Sequence, residues 1–386
     1  MTTVAVIGAG MGGLAVAAAL AREGARAGVN VTVYERAPVL GELGAGITMS
    51  PNSVRVLDWL GVDVAAIGYM PDVQWTQHWQ TGAILMERPR GADFAAKHGG
   101  AGYYHVHRAD LHAALVAALE AAAPGALRLG ADLVDVTETG AMRFADGSTA
   151  QADVVVGADG VKSSVRAALF SADGPQFTGQ VAWRGLVPVE ALPEDMRGLP
   201  PGIHIGPQRL FMRYPVRGGA LVNYAAFVEM EGWEDEGWTI PSTAEELLGH
   251  FAGWDPLVGA IIAATPAHLI FKWALHAREP LERWRRGRVT LLGDAAHAML
   301  PFMGQGAASA LEDGAILARC LMAFGADEAL DRYEALRRPK ANMVQTQSRL
   351  LGLQLQGKDP DALGRGPVQN EETLGLFDYD AVTDAI

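Results

Sequence analysis

The sequence predicts an α/β protein built around a Rossmann-like dinucleotide-binding domain. An apolar strand at residues 4–7 runs directly into a glycine-rich turn and a helix, which is how a nucleotide-binding unit begins. A second apolar run, at residues 289–292, ends on an acid and leads through glycines into an Ala-rich helix. Between these two ends, residues 180–229 contain runs of strand character separated by short turns. We therefore expect a nucleotide-binding sheet and a separate antiparallel sheet.

The composition indicates a globular protein of one or two domains. The 386 residues are 49% hydrophobic, and the net charge of −13 argues against nucleic acid and anionic membrane surfaces as partners. Cys320 is the one cysteine, so no internal disulfide can form, and its apolar neighbours indicate a core thiol. No apolar run reaches the roughly 20 residues of a membrane span, and residues 1–3 leave no room for a signal peptide. We expect a cytoplasmic protein.

The first glycine-rich turn has the spacing of a dinucleotide fingerprint. Gly8, Gly10 and Gly13 fit Gly-x-Gly-x-x-Gly, with Met11 between them and a helix predicted to follow. Such glycines permit a tight turn, the approach of a pyrophosphate and close packing of the helix on the strand. The next predicted strand ends on Glu35, an acid placed to bind the hydroxyls of an adenosine ribose. Together these features predict dinucleotide binding.

The stretch after the last apolar strand predicts a second part of the same site. Asp294 follows that strand at once and can accept a hydrogen bond from a hydroxyl. Residues 295–303 include small residues and a proline, and we expect this segment to be irregular; Gly304, Gly306 and Ala307 then open a helix. The free N–H groups and the dipole of a helix start favour negative charge. A reduced flavin on its ribityl chain fits this cradle; a strand-turn-helix without a ligand is the alternative.

Two further stretches carry candidate ligand contacts. Gly44 and Gly46 suggest backbone that lies close to a ligand before the next helix. Arg108 stands in the first turn of another predicted helix, where its charge opposes the macrodipole; this favours contact with a phosphate over an ordinary surface position. His107 and His112 have no Cys or His partner at metal spacing, so we expect cap and packing roles and no metal site.

The middle of the chain reads as strands and turns. Residues 127–137, 141–144 and 149–151 are predicted strands, the last two joined by a hairpin turn. Residues 180–189, 209–216 and 220–229 predict an antiparallel sheet, and residues 231–237 an acidic, solvated loop. Between these groups a buried strand ends on the motif Gly157-Ala158-Asp159-Gly160.

With this third motif the chain resembles a known family. Gly8-x-Gly10-x-x-Gly13, Gly157-Ala158-Asp159-Gly160 and Gly293-Asp294 stand in the order found in single-component flavoprotein aromatic hydroxylases, the group A flavin monooxygenases. The layout is similar to that of salicylate, 3-hydroxybenzoate and 6-hydroxynicotinate hydroxylases, and the resemblance covers nearly the whole chain. It implies a Rossmann-like FAD-binding domain from residues 1–175 and 275–386, with a C-terminal helical segment. A mostly antiparallel β substrate-binding domain, residues 176–274, would be inserted in it.

The resemblance also implies roles for individual residues. Glu35 would hold the adenosine ribose, Arg108 the pyrophosphate or ribityl region, Leu133 the adenine through its backbone, and Asp294 the ribityl chain. Asp159 is a candidate of second rank, because its motif serves both flavin and pyridine nucleotide. The implied cofactor-binding set is Gly8, Gly10, Met11, Gly13, Glu35, Arg36, Gly46, Ile47, Arg108, Leu133, Asp159, Asp294, Gly304, Gly306 and Ala307.

The implied reaction is hydroxylation of a small aromatic or N-heteroaromatic ring of the phenol, hydroxybenzoate or hydroxypyridine type. NADH or NADPH would reduce FAD, O2 would form a C4a-hydroperoxyflavin, and its terminal oxygen would attack the ring. The sequence contains no second Gly-x-Gly-x-x-Gly after a strand, so NAD(P)H would bind transiently. We expect a monomer or a homodimer.

Departures from the relatives fall in the substrate site. The 6-hydroxynicotinate enzymes carry histidines where this chain has Thr48 and Phe302. The 3-hydroxybenzoate enzymes carry a histidine where Leu210 stands and a glutamine where Pro301 stands, whereas Tyr214 matches a tyrosine of both groups. Thr48, Pro301, Phe302 and Tyr214 are therefore candidates for the aromatic site, and a dedicated histidine base is in doubt.

Two polar residues of the predicted antiparallel sheet are further candidates. His204 and Tyr224 could line the pocket, but for each a hydrogen-bonded structural role is favoured. Loss of the pocket histidines leaves other reactions of the same fold open, namely Baeyer–Villiger or ring-opening oxygenation. A non-catalytic FAD-binding redox protein is a third class.

Overall fold

The computed structural model describes residues 1–41, 45–171, 173–230, 232, 240–357 and 369–386. Gly44 and most of the acidic loop predicted at residues 231–237 lie outside these ranges. The strands are β1 Thr2–Ile7, β2 Val29–Glu35, β3 Gly46–Met49, β4 Gly68–Tyr69, β5 Val73–His78, β6 Ile84–Pro89, β7 Tyr104–His107, β8 Leu127–Leu129, β9 Leu133–Val136, β10 Ala141–Phe144, β11 Thr149–Gln151, β12 Val154–Gly157, β13 Gln176–Pro188, β14 Gly202–Gly206, β15 Arg209–Val216, β16 Leu221–Glu229, β17 Ile240–Pro241, β18 Phe271–Ala277, β19 Arg285–Arg286 and β20 Val289–Leu291.

Helices connect and cover these strands. The α-helices are α1 Met11–Glu23, α2 Pro51–Leu60, α3 Val64–Ile67, α4 Ala92–Lys97, α5 Arg108–Ala122, α6 Ser164–Leu169, α7 Ala244–His250, α8 Pro256–Ala263, α9 Asp294–His297, α10 Gly306–Ala323 and α11 Ala326–Leu355. Shorter 3-10 turns lie at Gly24–Ala27, Val189–Ala191, Glu194–Met196, Arg217–Gly219, Ala267–Leu269, Pro301–Met303 and Leu376–Asp378. In the parts of the chain that the structure describes, no helix is both long and apolar enough to cross a membrane.

A six-stranded sheet of the described residues forms the predicted Rossmann-like core. Its order is β19-β20-β12-β1-β2-β8, with every pair parallel except β19–β20. Strand β12 is buried along its length, which explains why its sequence is a continuous apolar run and not an alternating one. Because parallel strands present their carboxyl ends at one edge, the turns after β1, β12 and β20 meet there. The α/β fold class is confirmed.

The second large sheet has eight strands among the described residues, in the order β17-β18-β13-β16-β15-β14-β5-β6. Its centre is antiparallel as predicted, and β14 pairs with β5 in parallel. Strands β5 and β6 come from residues 73–89, which we had assigned to the FAD-binding domain, so the sheet does not arise from residues 176–274 alone. The sequence does not reveal the pairing of β5 with β14, because backbone hydrogen bonds join strands regardless of their distance along the chain.

The two faces of this sheet have different partners. Side chains of directly paired residues share a face, so Leu210, Met212 and Tyr214 of β15 lie on one side, and Phe211 and Arg213 on the other. We call the first side the inner face; it packs against Leu300, Phe302 and Leu355. The second, the outer face, packs on α7 and α8. The inner face of the central strands comprises Ala182, Arg184, Leu186, Leu210, Met212, Tyr214, Asn223, Ala225 and Phe227.

Two predicted segments differ from the structure. Residues 127–137 are not one strand but β8 and β9, which belong to different sheets. Gly130, at φ +70°, lies between them in a backbone conformation that a continuous strand does not allow. Residues 295–303, predicted to be irregular, contain most of the short helix α9 and a 3-10 turn. Small residues permit such compact turns as readily as irregular loops.

A buried ionic network lies under the turn after β20. The Asp313 carboxylate accepts the Gly293 N–H at 3.0 Å and the Arg337 Nε–H at 2.7 Å, and its Oδ2 lies 2.5 Å from His297 Nε2. Glu312 forms a second ion pair with Arg337, at 2.7 Å. Burial raises the pKa of Asp313, but the charges and hydrogen bonds of His297 and Arg337 outweigh it and lower the pKa to about 2.

We predict that Asp313→Asn destabilises the protein by about 3–5 kcal/mol at neutral pH, since it removes the charged partner of Arg337 Nε from a buried ionic network. The folded-state pKa is lowered, so the carboxylate stabilises the fold above its ordinary value of 3.8 and this stabilisation disappears as the pH falls towards about 2. Urea unfolding of both proteins from pH 7 to pH 3 should show the difference narrowing at low pH. Asp327→Asn, which alters an exposed ion pair with Arg285, is the control. Equal urea midpoints for wild type and Asp313→Asn would contradict the assignment.

Candidate functional site

The glycine-rich turn after β1 meets the motif after β12. Gly8 has φ +102°, and a Cβ added to it would lie 2.5 Å from the Ala158 carbonyl oxygen. A Cβ on Gly13 would lie 2.1 Å from the Gly8 carbonyl oxygen, so helix α1 can approach the strand only with glycine there. By contrast, a Cβ on Gly10 would have no atom within 4 Å. Packing requires the outer two glycines, whereas Gly10 borders open space that a pyrophosphate fits. Met11, the first residue of α1, is buried.

Glu35 lies at the end of β2, beside this turn. Its carboxylate accepts the Ala9 N–H at 2.8 Å and the Ala37 N–H at 2.9 Å. These bonds hold the turn and leave further lone pairs for hydroxyl donors, as a ribose offers. Arg36 is exposed, and His112 bonds the Ala9 carbonyl oxygen at 2.8 Å. The packing role expected for His112 agrees with this bond, and ribose binding by Glu35 stays a prediction.

Asp159 is engaged by its own loop. Its carboxylate accepts the N–H groups of Ser164 at 2.7 Å and Val165 at 3.2 Å, and the Ser163 hydroxyl at 2.5 Å. Burial raises its pKa, although these hydrogen bonds oppose the rise. The aspartate therefore shapes the turn that faces Gly8, and direct contact with a nucleotide stays a prediction.

Arg166, which sequence reasoning missed, connects two of the motifs. It is buried, and its guanidinium donates to the carbonyl oxygens of Ala295 and Ala296, each at 3.2 Å. Helix α6 thus fixes the turn that carries Asp294. The sequence shows only an arginine inside a short apolar helix. Nothing in that pattern distinguishes Arg166 from other helical arginines, because its partners lie far along the chain.

The turn after β20 offers a free carboxylate and a free helix start. Asp294 is exposed, and within the described ranges its carboxylate has no hydrogen-bond or ion-pair partner. Gly304, at φ +63°, ends the 3-10 turn, and α10 begins two residues later at Gly306. The first N–H groups of α10, including that of Ala307, are not used by the helix itself. A hydroxyl-bearing chain that ends in an anionic ring fits this donor and acceptor set.

Strand β3 packs its glycine against the inner face. A Cβ on Gly46 would lie 2.4 Å from the Tyr214 ring and 2.7 Å from the Asn223 side chain. The Gly46 N–H also donates to Asn223 Oδ1 at 2.6 Å. The sequence had suggested a ligand as the reason for this glycine, but on its Cβ side the reason is contact with the second sheet. Ile47, next in the strand, is half-buried.

A polar cluster forms where β3 and β7 face Tyr214. Thr48 Oγ1 lies 3.3 Å from Nδ1 of His105, and the His105 ring stacks on Tyr214 with centroids 4.3 Å apart. Burial, followed by the charge of Arg90, lowers the pKa of His105 to about 3, so the imidazole is neutral. Burial raises the pKa of Tyr214. Thr48 also borders the flavin-type cradle, since a Cβ on Gly304 would lie 3.9 Å from Thr48 Cβ.

The inner face also carries a cation that the sequence did not single out. The Arg184 guanidinium lies over the Trp273 ring, 4.4 Å from its centroid. Across the residues that the structure describes, no carboxylate pairs with it and no hydrogen bond to it is found. Burial lowers the pKa of Arg184, Tyr214 opposes this effect, and the charge of Arg108 adds to it. Arg108 and Arg184 are therefore close enough to interact.

Pro301 and Phe302 lie between the inner face and α11. Pro301 opens the 3-10 turn, and the Phe302 ring packs 5.2 Å from that of Phe227. A Cβ on Gly352 of α11 would lie 2.4 Å from the Phe302 ring, so only glycine fits at this position of the helix. Phe302 is half-buried and belongs to the apolar wall that also contains Leu210.

His204 and Tyr224 lie on the outer face, away from Tyr214. His204 pairs in register with Phe211, and its Nε2 lies 2.8 Å from Asp255 Oδ2 at the start of α8. Tyr224 accepts a hydrogen bond from Thr265 at 3.3 Å. Placing His204 in the aromatic site is therefore wrong. Side chains alternate between the two faces of a strand, and the His204 side chain lies on the outer face, which packs on α7 and α8. Both residues have the structural role that the sequence left open.

Matches to known proteins agree with this architecture. A family model described as FAD binding domain matches residues 1–348. The chain is 42% identical over 355 residues to 6-hydroxynicotinate 3-monooxygenase of Pseudomonas fluorescens, covering 89% of each chain. It is 33% identical over 407 residues to a salicylate hydroxylase of Pseudomonas putida, covering 97% of this chain and 91% of the relative.

Solved structures give the same result. A salicylate hydroxylase substrate complex superposes with a TM-score of 0.81 at 30% identity, covering 98% of this chain and 96% of the other. HpxO of Klebsiella pneumoniae, complexed with FAD and uric acid, superposes with a TM-score of 0.83 at 26% identity, with coverages of 98% and 96%. The resemblance read from the three motifs is confirmed. The chain belongs to the FAD binding domain family, within its FAD-dependent aromatic hydroxylases.

Proposed function

We propose that this enzyme uses NADH or NADPH and O2 to hydroxylate an aromatic or N-heteroaromatic ring that carries both a hydroxyl and a carboxylate. The relatives support this class, since 6-hydroxynicotinate, salicylate and 3-amino-4-hydroxybenzoate in their names all combine these two groups. The observation that carries the proposal is Arg184, a cation without an acidic partner in the described chain, on the face that meets the flavin cradle.

Arg184 suits a carboxylate for electrostatic and geometric reasons. A guanidinium presents parallel N–H donors that match the two oxygens of a carboxylate. Arg108 adds positive charge nearby, in a protein whose net charge is −13. Contact with the Trp273 ring holds the guanidinium in place without using its N–H donors. An anionic ring would therefore be drawn to this part of the inner face.

The other polar groups of the site suit the ring hydroxyl. The hydroxyls of Thr48 and Tyr214 approach from opposite elements, β3 and β15, whereas Asn223 is already bound to Gly46. Apolar side chains surround them, which excludes water and orients a flat ring. We assign Thr48, Tyr214, Pro301 and Phe302 to this site.

Different residues would bind different parts of the FAD molecule. The turn of Gly8, Gly10 and Gly13 would admit the pyrophosphate, Glu35 would hold the ribose, and Asp294 would hold the ribityl hydroxyls. We assign Arg36, Ile47, Arg108, Leu133, Asp159, Gly304, Gly306 and Ala307 to the same set. When bound and reduced, FAD supplies the activation of O2 and the transfer of one oxygen atom to the ring. The start of α10 would stabilise negative charge that develops beside it.

We further infer a cytoplasmic monomer or homodimer that does not bind nucleic acid. A single cysteine, which is buried, suits a reducing compartment. The strongly negative net charge opposes binding to nucleic acid and to anionic lipid.

The function is tested by a reductant-oxidation screen with product analysis. We expect at least one of 6-hydroxynicotinate, salicylate and 3-amino-4-hydroxybenzoate to accelerate NAD(P)H oxidation by the FAD-loaded enzyme at least about tenfold. Mass spectrometry under ¹⁸O₂ should show one labelled oxygen as a ring hydroxyl. A labelled lactone or ring-opened product would mean a different oxygenation. No acceleration and no product from any of these acids would contradict the proposal.

Arg184→Gln should raise KM for the carboxylated substrate by about ten- to a hundredfold, the loss of a charge-assisted hydrogen bond worth about 1.5–3 kcal/mol. The same variant should handle the corresponding ring without its carboxylate about as well as wild type does. Arg349→Gln, at an exposed arginine of α11, is the matched control. Equal changes in KM for the acid and its decarboxylated analogue would show that Arg184 does not bind the carboxylate.

Asp294→Ala should weaken FAD binding about tenfold or more, because a carboxylate that accepts hydroxyl hydrogen bonds is lost. The melting temperature of the apoprotein should not change, since Asp294 has no partner within the described protein. Asp195→Ala, at another exposed acid, is the control. FAD titration followed by flavin fluorescence measures the first effect. Unchanged affinity together with a less stable apoprotein would show a structural role instead.

A further inference from the structure

Thr48 and His105 stand directly opposite each other on adjacent strands. In the ladder of β3 and β7, Gly46 pairs with His107 and Thr48 pairs with His105. Directly paired residues project to the same face of a sheet, so the two side chains emerge together. Contact with Tyr214 fixes which face this is, and that face meets the inner face of the second sheet.

One imidazole contacts both hydroxyl-bearing residues that we assign to the substrate. Its Nδ1 lies 3.3 Å from Thr48 Oγ1, and its plane lies at 18° to the Tyr214 ring. Tyr103 packs edge-on against the imidazole, with ring centroids 5.6 Å apart, and its hydroxyl also interacts with the Thr48 side chain by hydrogen bonding. His105 is 1% exposed, so these contacts hold its ring in one orientation.

The electrostatic surroundings keep this imidazole neutral. Arg90, itself buried, adds a positive charge nearby, which together with desolvation disfavours the imidazolium. A neutral ring has one donor and one acceptor nitrogen, and it is a poor base in this setting. The proton of a substrate hydroxyl would therefore not be transferred to His105. The contacts of His105 instead favour a role in orienting neighbouring groups. Among the described residues, His105 Nε2 has no hydrogen-bond partner, so the bond to Thr48 is the one that anchors the ring's polar edge.

We propose that His105 is a positioning residue for hydroxylation, which orients the Thr48 hydroxyl by hydrogen bonding so that this hydroxyl meets the ring oxygen of the substrate. The inference rests on the proposed function. A threonine hydroxyl rotates freely unless a neighbour selects its direction, and small misplacement at a reacting centre is costly.

The test compares four variants with wild type: His105→Phe, His105→Asn, Thr48→Val and Thr48→Ser. Phenylalanine keeps an aromatic ring on Tyr214 but removes the hydrogen bond, and asparagine keeps a polar group near the position of Nδ1. The probe is whichever of 6-hydroxynicotinate, salicylate and 3-amino-4-hydroxybenzoate the wild type hydroxylates best. Readouts are kcat, KM and the ratio of hydroxylated product to NAD(P)H consumed, with FAD affinity and melting temperature as checks.

We expect His105→Phe to lower kcat/KM by about ten- to a hundredfold and to divert NAD(P)H into peroxide, without changing FAD affinity. Thr48→Val should do the same, whereas Thr48→Ser and His105→Asn should each recover most of the product yield. In a Thr48→Val background the difference between His105→Phe and His105→Asn should vanish, which a general packing role would not produce.

Retained product yield in His105→Phe would overturn the inference, as would effects of His105→Phe and Thr48→Val that multiply in the double variant. His105→Asn that is no better than His105→Phe would also overturn it. Should His105→Phe fail to fold, Thr48→Val against Thr48→Ser decides the matter with His105 intact, and equal product yields would end the proposal. Failure of wild type to hydroxylate any of the three acids would instead count against the proposed function.

Discussion

The buried carboxylate of Asp313 is the interaction on which the cofactor region depends. It ties the backbone of Gly293 to His297 and to Arg337, and so joins the end of a core strand to helices α10 and α11. Glu312, the preceding residue, extends the network to Asn52 at 2.6 Å, in the helix that follows β3. A set of buried charges is stable only when every member is paired, so these elements can adopt one relative position. That position leaves the side chain of Asp294 and the start of α10 free for a ligand.

A second constraint joins the two sheets. Gly46 has no room for a side chain because Tyr214 and Asn223 occupy it, and its N–H is bound by Asn223. Strand β3 and the inner face of the eight-stranded sheet are thereby held in contact. Thr48, two residues along β3, lies close to both Gly304 and His105. The chemistry of an aromatic hydroxylase needs this juxtaposition, since the ring to be oxidised must lie against the flavin in a site closed to water.

The inner face, with strand β3, has few polar groups among its apolar side chains. Arg184 offers charged N–H donors, whereas Tyr214 and Thr48 each offer a hydroxyl that can donate or accept a hydrogen bond. The resemblance raised doubt about a histidine in the site, because Thr48 and Phe302 stand where it implies histidines. An imidazole is nevertheless present, since His105 stands on the strand opposite Thr48.

The sequence by itself determined the family, the cofactor and the local elements. The turn at Gly8–Gly13, the acid after β20 and the apolar strands are contiguous patterns, whose physical requirements lie within a few residues. Only the tertiary structure decided what depends on pairing between distant strands: that β5 and β6 extend the second sheet, that His204 faces the helices, and that His105 stands opposite Thr48. Side chains alternate with a period of two, so register and parity decide which residues meet, and backbone hydrogen bonds between strands carry no local signal of either.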